Sequence, residues 1–134
     1  NDIDKYKKNS PGQNRAEGHK HSPEDGRVES HHPIQNEWAI RWAKRYHKKY
    51  SKRNAPGILL KSSSGEAHAQ VSALQRERRM REGFNTSIRH EFNTSYKEIL
   101  GVEDEYGNKL ISTKDARKAI KEAYRYFDSI GGFD

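Results

Sequence analysis

Apolar residues recur with a helical period through the middle and end of the chain and almost vanish at its start. Trp38, Trp42, Tyr46 and Tyr50 stand four apart, with Ala39 and Ala43 beside the tryptophans and Arg41, Lys44, Arg45, Lys48 and Lys49 mostly elsewhere around the helix. That spacing predicts an aromatic-faced, basic helix from Asn36 to about residue 52, ending before Asn54-Ala55-Pro56-Gly57. Ile58-Leu59-Leu60, bounded by Gly57 and by Lys61-Ser62-Ser63-Ser64-Gly65, has the size of one buried strand. Ser63 and Glu66 stand at capping-box spacing before a helix that runs through Ala67, Val71 and Leu74 into Arg76, Arg78, Arg79 and Arg81, closed by Gly83. Ile88, Phe92, Tyr96, Ile99 and Leu100 form the next stripe, with Thr86 or Ser87 as its cap. After an acidic turn from Glu103 to Asn108, Ser112 and Asp115 open a last helix that carries Ala116, Ala119, Ile120, Ala123, Tyr124 and Phe127 on one face.

Residues 1–26 hold few apolar side chains and two Ser-Pro steps, so burial there cannot offset the entropy of ordering, and a linker or loosely draped arm is expected. Arg27 to His31 reads as a short strand that Pro33 stops. What remains, residues 27–134, is expected to be one domain. Composition narrows it further. With 31% hydrophobic and 34% charged residues and a mean hydropathy of −1.26, a large buried core is excluded. No apolar run is long enough for a membrane span or a signal peptide. The absence of cysteine excludes disulfides and thiolate zinc clusters, so any metal site depends on His, Asp, Glu or Asn. The first residue is Asn1 rather than Met, from which a parent polypeptide is expected.

The net charge of +7 is not spread evenly. Residues 1–30 balance 6 basic against 6 acidic groups, residues 31–81 carry 12 against 3, and residues 82–134 carry 8 against 10. The whole basic excess lies in one segment. A patch of that sign suits a polyanion, nucleic acid first and anionic lipid second, although a merely solvated basic surface has the same composition.

Of the seven histidines, His31 and His32 are adjacent, at the end of one predicted strand; Asn54 precedes the other, and His68 lies in the first turns of the helix that follows. Element ends are where binding and catalytic groups collect. The string Ser30-His31-His32-Pro33-Ile34-Gln35 resembles the SHH signature of HNH/endonuclease VII-type toxin domains, the C-terminal nuclease modules of bacterial polymorphic toxins. The resemblance continues through Asn54-Ala55-Pro56 with Ile58-Leu59-Leu60, through Gly65-Glu66-Ala67-His68-Ala69-Gln70-Val71-Ser72, and through Phe84-Asn85-Thr86-Ser87 to the last helix, over about residues 28–130.

That resemblance implies an α+β fold, mostly helical, with a small ββα-metal (His-Me finger, treble-clef-like) core over about residues 27–81 and C-terminal helices over about 86–130. It implies that His31 and His68 are metal ligands, that His32 is the general base, and that Asn54 orients the loop or the base. Imidazole suits the base role because its pKa starts near neutrality. One divalent ion is implied, Mg2+ first, with Zn2+, Mn2+ or Ni2+ as alternatives. The chain departs from the pattern where many HNH enzymes carry a second helical His, a position held here by Ser72, and in placing a whole helix between His32 and Asn54. Arg76, Arg78, Arg79 and Arg81 are the candidate nucleic-acid contacts, and they surround their helix rather than line one face. Glu66 is a capping residue before it is a ligand, and the aromatic stripe is core before it is a base-stacking platform.

The expected function is a metal-dependent endonuclease acting on DNA, part of a larger secreted or surface-delivered toxin that works in the target-cell cytoplasm and is silenced by a cognate immunity protein. An RNase is the alternative within the enzyme class. A catalytically silent, basic module for nucleic acid or a membrane surface is the alternative outside it; it needs an exposed apolar face on the first helix, and stable membrane insertion is not expected. The charge map gives a test common to the nucleic-acid readings. Binding of plasmid DNA, followed by anisotropy or gel shift, is expected to weaken steeply between about 50 and 200 mM salt as phosphate counterions are released. Insensitivity to salt would remove the basic segment as the binding surface.

Overall fold

A computed structural model describes residues 3–5, 28–61 and 66–134. In chain order the elements are β1 (Ile3–Lys5), β2 (Val28–His31), α1 (Asn36–Tyr46), β3 (Pro56–Lys61), α2 (Ala67–Glu82), α3 (Ile88–Gly101) and α4 (Thr113–Ser129). The fold is α+β and mostly helical. β3 is the middle strand of a three-stranded sheet, with β1 and β2 antiparallel to it on its two sides. One expectation changes here: residues 3–5, inside the segment read as an arm, pair Ile3 with Ile58, Asp4 with Gly57 and Lys5 with Pro56. Ladder bonds are made by backbone groups, so a segment poor in apolar side chains can still satisfy the open edge of β3. The predicted linker character of residues 6–26, and Arg27 of the predicted strand, lie outside the described residues.

β2 and β3 pair with Ser30 opposite Leu59 and His31 opposite Ile58. Opposed residues share a sheet face, so His31 lies on the face of Ile58 and Leu60. Those two side chains are buried with Ala67 and Val71 of α2, Ile99 of α3 and Ala116 and Ala119 of α4. A second cluster joins Ile34, Trp38, Ala39, Trp42 and Ala43 to Phe92, Ala123 and Phe127. The Trp38 and Trp42 rings stack at 5.7 Å, and Trp42 meets Phe127 edge-on at 5.4 Å. The first part of the aromatic stripe is therefore core, which leaves no apolar face for a lipid surface there.

Helix α1 is shorter than its periodicity predicts. It stops at Tyr46, and His47 takes a left-handed conformation at φ 57° while its N–H bonds the Ala43 carbonyl. Tyr46 is exposed, and Tyr50 is not on the helix but folds back onto it. The Tyr50 hydroxyl donates to Asn36 Oδ1 at 2.8 Å, and its ring stacks on Phe127 at 5.8 Å. Tertiary contacts at both ends of that turn thus outweigh a helical repeat that no Gly or Pro interrupts. Ser87 and Ser112 cap α3 and α4 as predicted, accepting the His90 and Asp115 N–H groups. Glu66 is the extended residue ahead of α2 and makes no side-chain cap bond; Ser63 lies outside the described residues. Gly83 closes α2 at φ 68°, a conformation that favours glycine. Among the described residues no helix is long and apolar enough to cross a membrane.

Arg78, read above as a nucleic-acid contact, is 1% exposed. Its guanidinium meets Glu91 at 2.6 Å, Glu98 at 2.9 Å and the Ser95 hydroxyl at 3.3 Å. Burial opposes its charge, but the hydrogen bonds it donates to Glu98 and Glu91 outweigh that and hold the guanidinium firmly protonated. Arg78 therefore joins α2 to α3 and is not available to phosphate. Arg78→Met, which strands two carboxylates, is expected to lose roughly 3–5 kcal/mol in urea denaturation. Arg76→Met, on the exposed side, is expected to stay within about 0.5 kcal/mol of the parent.

Candidate active site

The SHH segment ends β2 inside the protein. Ser30, His31 and His32 are 7%, 8% and 9% exposed, and all three line a pocket of about 310 Å³. The far walls come from Gln35 and Glu37 at the start of α1, Lys52 in the turn before β3, and Gln75 and Arg79 of α2. His68, half-buried in the first turn of α2, sits against His31 with the rings edge to face and their centres 5.2 Å apart. The strand end, the turn and the helix thus converge, and His31 and His68 are brought together.

The two adjacent histidines have different surroundings. His31 hydrogen-bonds the Gln75 side chain, and burial, with His68 and His32 beside it, lowers its pKa to about 3. Its Nε2 is buried and makes no hydrogen bond. His32 bonds the backbone of Pro56; proline has no N–H, so the acceptor is the carbonyl and the imidazole donates. As its Nε2 makes no hydrogen bond, that donor is Nδ1–H. Burial, with a contribution from the Lys52 charge, lowers the His32 pKa to about 4. The near-neutral titration expected of a general base is thus shifted downward by this fold: burial leaves too little water around the ring to solvate its charge fully, so it is unprotonated well below neutral pH.

Other expected site residues fall less centrally. Asn54 is exposed in the turn from Ser51 to Ala55, its N–H on the Ser51 carbonyl, and it is not in the pocket wall. What that turn brings to His32 is the Pro56 carbonyl and the Lys52 cation. Arg79 is half-buried in the wall, its guanidinium 3.1 Å from Gln35 Oε1, whereas Arg76 and Arg81 are exposed on α2 outside it. Lys52, Gln35 and Gln75 were not singled out by the sequence. Gln75 had a visible signal: with His68, Ser72 and Arg79 it makes a polar row at helical spacing on α2.

A family model described as HNH/Endo VII superfamily toxin with a SHH signature matches residues 25–128. The chain belongs to that family. It is thereby a toxin of a nuclease superfamily, and Ser30, His31 and His32 are the signature for which its family is named. No curated protein and no solved structure matches it.

In this SHH toxin, no group of three or more His, Asp or Glu among the described residues is placed to hold an ion. The donors available are His31 and His68. Two imidazoles that share one ion at about 2.1 Å from each nitrogen have ring centres roughly 5 Å apart, as these have, and His31 Nε2 is buried with no hydrogen-bond partner. A pair of this kind fits an open site completed by water and substrate, not a closed structural one.

The lowered pKa values carry a stability prediction for the ion-free chain. Below pH 6.5 unfolded imidazoles bind protons that folded His31 and His32 refuse, so stability falls with pH between about 6.5 and 4 and is unaffected by these rings above that window. With chelator present, urea unfolding is expected to lose up to about 1.4 kcal/mol per pH unit for each ring inside it. A flat profile from pH 7 to 5 would contradict the burial of both rings.

Proposed function

We propose that this domain is a metal-dependent DNase toxin whose site is the Ser30–His31–His32 strand end facing α2. The observation that carries the reading is the unlike setting of two adjacent imidazoles: His31 is packed on His68, and His32 is held by the Pro56 carbonyl in the wall of a pocket that also contains Lys52 and Arg79. We read β2, β3 and α2 as a ββα-metal core. His31 and His68 are the ligands of one divalent cation, which when bound supplies Lewis acidity at the scissile phosphate. Mg2+ is the ion expected from the resemblance, while two imidazole donors suit Zn2+ or Ni2+ better, so a panel of ions is needed.

His32, fixed through its Nδ1–H on the Pro56 carbonyl, accepts the proton of the attacking water at Nε2. Lys52 and Arg79 meet the phosphate at the pocket, and Arg76 and Arg81 extend that contact along the strand. Asn54 we assign to ordering the turn that carries Lys52 and Pro56. A positive surface of this kind suits a cognate immunity protein with an acidic contact face, which would protect the producer until the secreted toxin reaches the cytoplasm of its target.

Plasmid DNA and a structured RNA, incubated with Mg2+, Mn2+, Ni2+ or Zn2+ and with excess EDTA, provide the test. Plasmid is expected to be nicked with an ion and spared with chelator. His32→Ala is expected to cut cleavage by on the order of a hundredfold or more with ion affinity near wild type, whereas His31→Ala and His68→Ala lose affinity and activity together. Cleavage that persists in EDTA, or fails with every ion on both substrates, overturns the reading; RNA cut in preference to plasmid turns the enzyme into an RNase.

A further inference from the structure

Gln75 stands in the pocket wall beside the two histidines. It is 6% exposed on α2, two helical turns beyond His68, and so belongs to the same helix face. Its Nε2 is directed at the His32 carbonyl, 3.5 Å away. The amide oxygen is then the atom left for the hydrogen bond to the His31 ring, and an oxygen can only accept. Because His31 Nε2 makes no hydrogen bond, the nitrogen that donates is Nδ1. A neutral imidazole carries one proton, so a proton held on Nδ1 leaves the lone pair on Nε2.

We propose that Gln75 is a positioning residue: one amide, oriented by the His32 carbonyl, locks His31 in the Nδ1–H tautomer and turns its Nε2 lone pair toward the cation shared with His68. The inference rests on the metal-site reading above and deepens it. The side-chain amide does two jobs that a carboxylate or an apolar residue cannot combine. Its oxygen fixes the proton on the ligand, and its nitrogen fixes the amide against the backbone between the ligand and the base. A ligand histidine is generally held in this way through its second nitrogen, and loss of the partner loosens the ion without removing any ligand.

Long-range proton–nitrogen spectra of the full chain, recorded without metal, read the tautomer of His31 directly, and calorimetry with Ni2+ and Zn2+ reads affinity. Wild type is expected to show His31 as Nδ1–H. Gln75→Met, of similar volume, is expected to remain folded by circular dichroism, to show a mixture of tautomers and to bind either ion roughly 10- to 100-fold more weakly. Gln75→Glu keeps an acceptor for Nδ1–H but loses the donor to the His32 carbonyl, and is expected to show His31 as Nδ1–H and to recover only part of the affinity that Gln75→Met loses. His31 found as Nε2–H in the wild-type chain overturns the proposal whatever the variants do, as does a Gln75→Met chain with unchanged tautomer and affinity. A wild-type chain that binds neither ion yet keeps the Nδ1–H tautomer overturns the metal-site reading alone and supports the hold of Gln75 on His31.

Discussion

Taking a guanidinium out of water costs several kcal/mol, and the cost is offset only when every donor finds a partner in good geometry. Arg78 meets that condition with carboxylates from α3, and the second oxygen of Glu91, itself fully buried, takes an Arg78 bond at 3.4 Å and further donors besides. That oxygen accepts from the Ser95 hydroxyl and from the Gln35 N–H at 3.3 Å. Gln35 is the residue ahead of α1, three beyond His32, and its side chain also holds Arg79. One ion pair therefore ties α2 to α3 and both to the segment that leaves the SHH strand. It explains why Gln35 does not cap α1 with its own side chain, which makes no cap bond. The pocket wall is built from groups this network has already placed.

Inside that frame, adjacent residues on one strand acquire separate environments because a strand sends successive side chains to opposite sides. His31 goes with Ile58 toward α2 and His68; His32 reaches the carbonyl of Pro56, where β3 begins. Neither ring can take up a proton cheaply in a dry setting, so both are held as neutral imidazoles, the form that binds a cation or accepts a proton.

The same network redistributes the basic surface. A count of Lys and Arg over residues 31–81 includes Arg78, whose charge is spent inside the protein on Glu91 and Glu98. Of the rest, Lys52 and Arg79 stand in the pocket wall, while Arg41, Lys44, Arg45, Lys49, Arg53, Arg76 and Arg81 are exposed elsewhere in the segment. Two of the basic groups thus stand beside the histidines, in a cleft of low dielectric where field lines are focused.

By itself the sequence determined the family, the order of elements and the histidines that meet. Local signals sufficed for these: Ser87 and Ser112 carry the chemistry of a cap, the stripe of Trp38 and Trp42 demands a core, and Ser30-His31-His32 with His68 forms a pattern too specific to need coordinates. Tertiary structure decided the rest, because each remaining point depends on a partner far along the chain. Nothing near Arg78 shows that Glu91 and Glu98 will enclose it, and nothing near residues 3–5 shows the open edge of β3 that they pair with. α1 ends at Tyr46 because Tyr50 finds Asn36 and Phe127, a contact no helical repeat contains. The lowered pKa values of His31 and His32 are likewise properties of burial and of hydrogen bonds to Gln75 and Pro56, residues distant in sequence, which the identities of the residues alone do not specify.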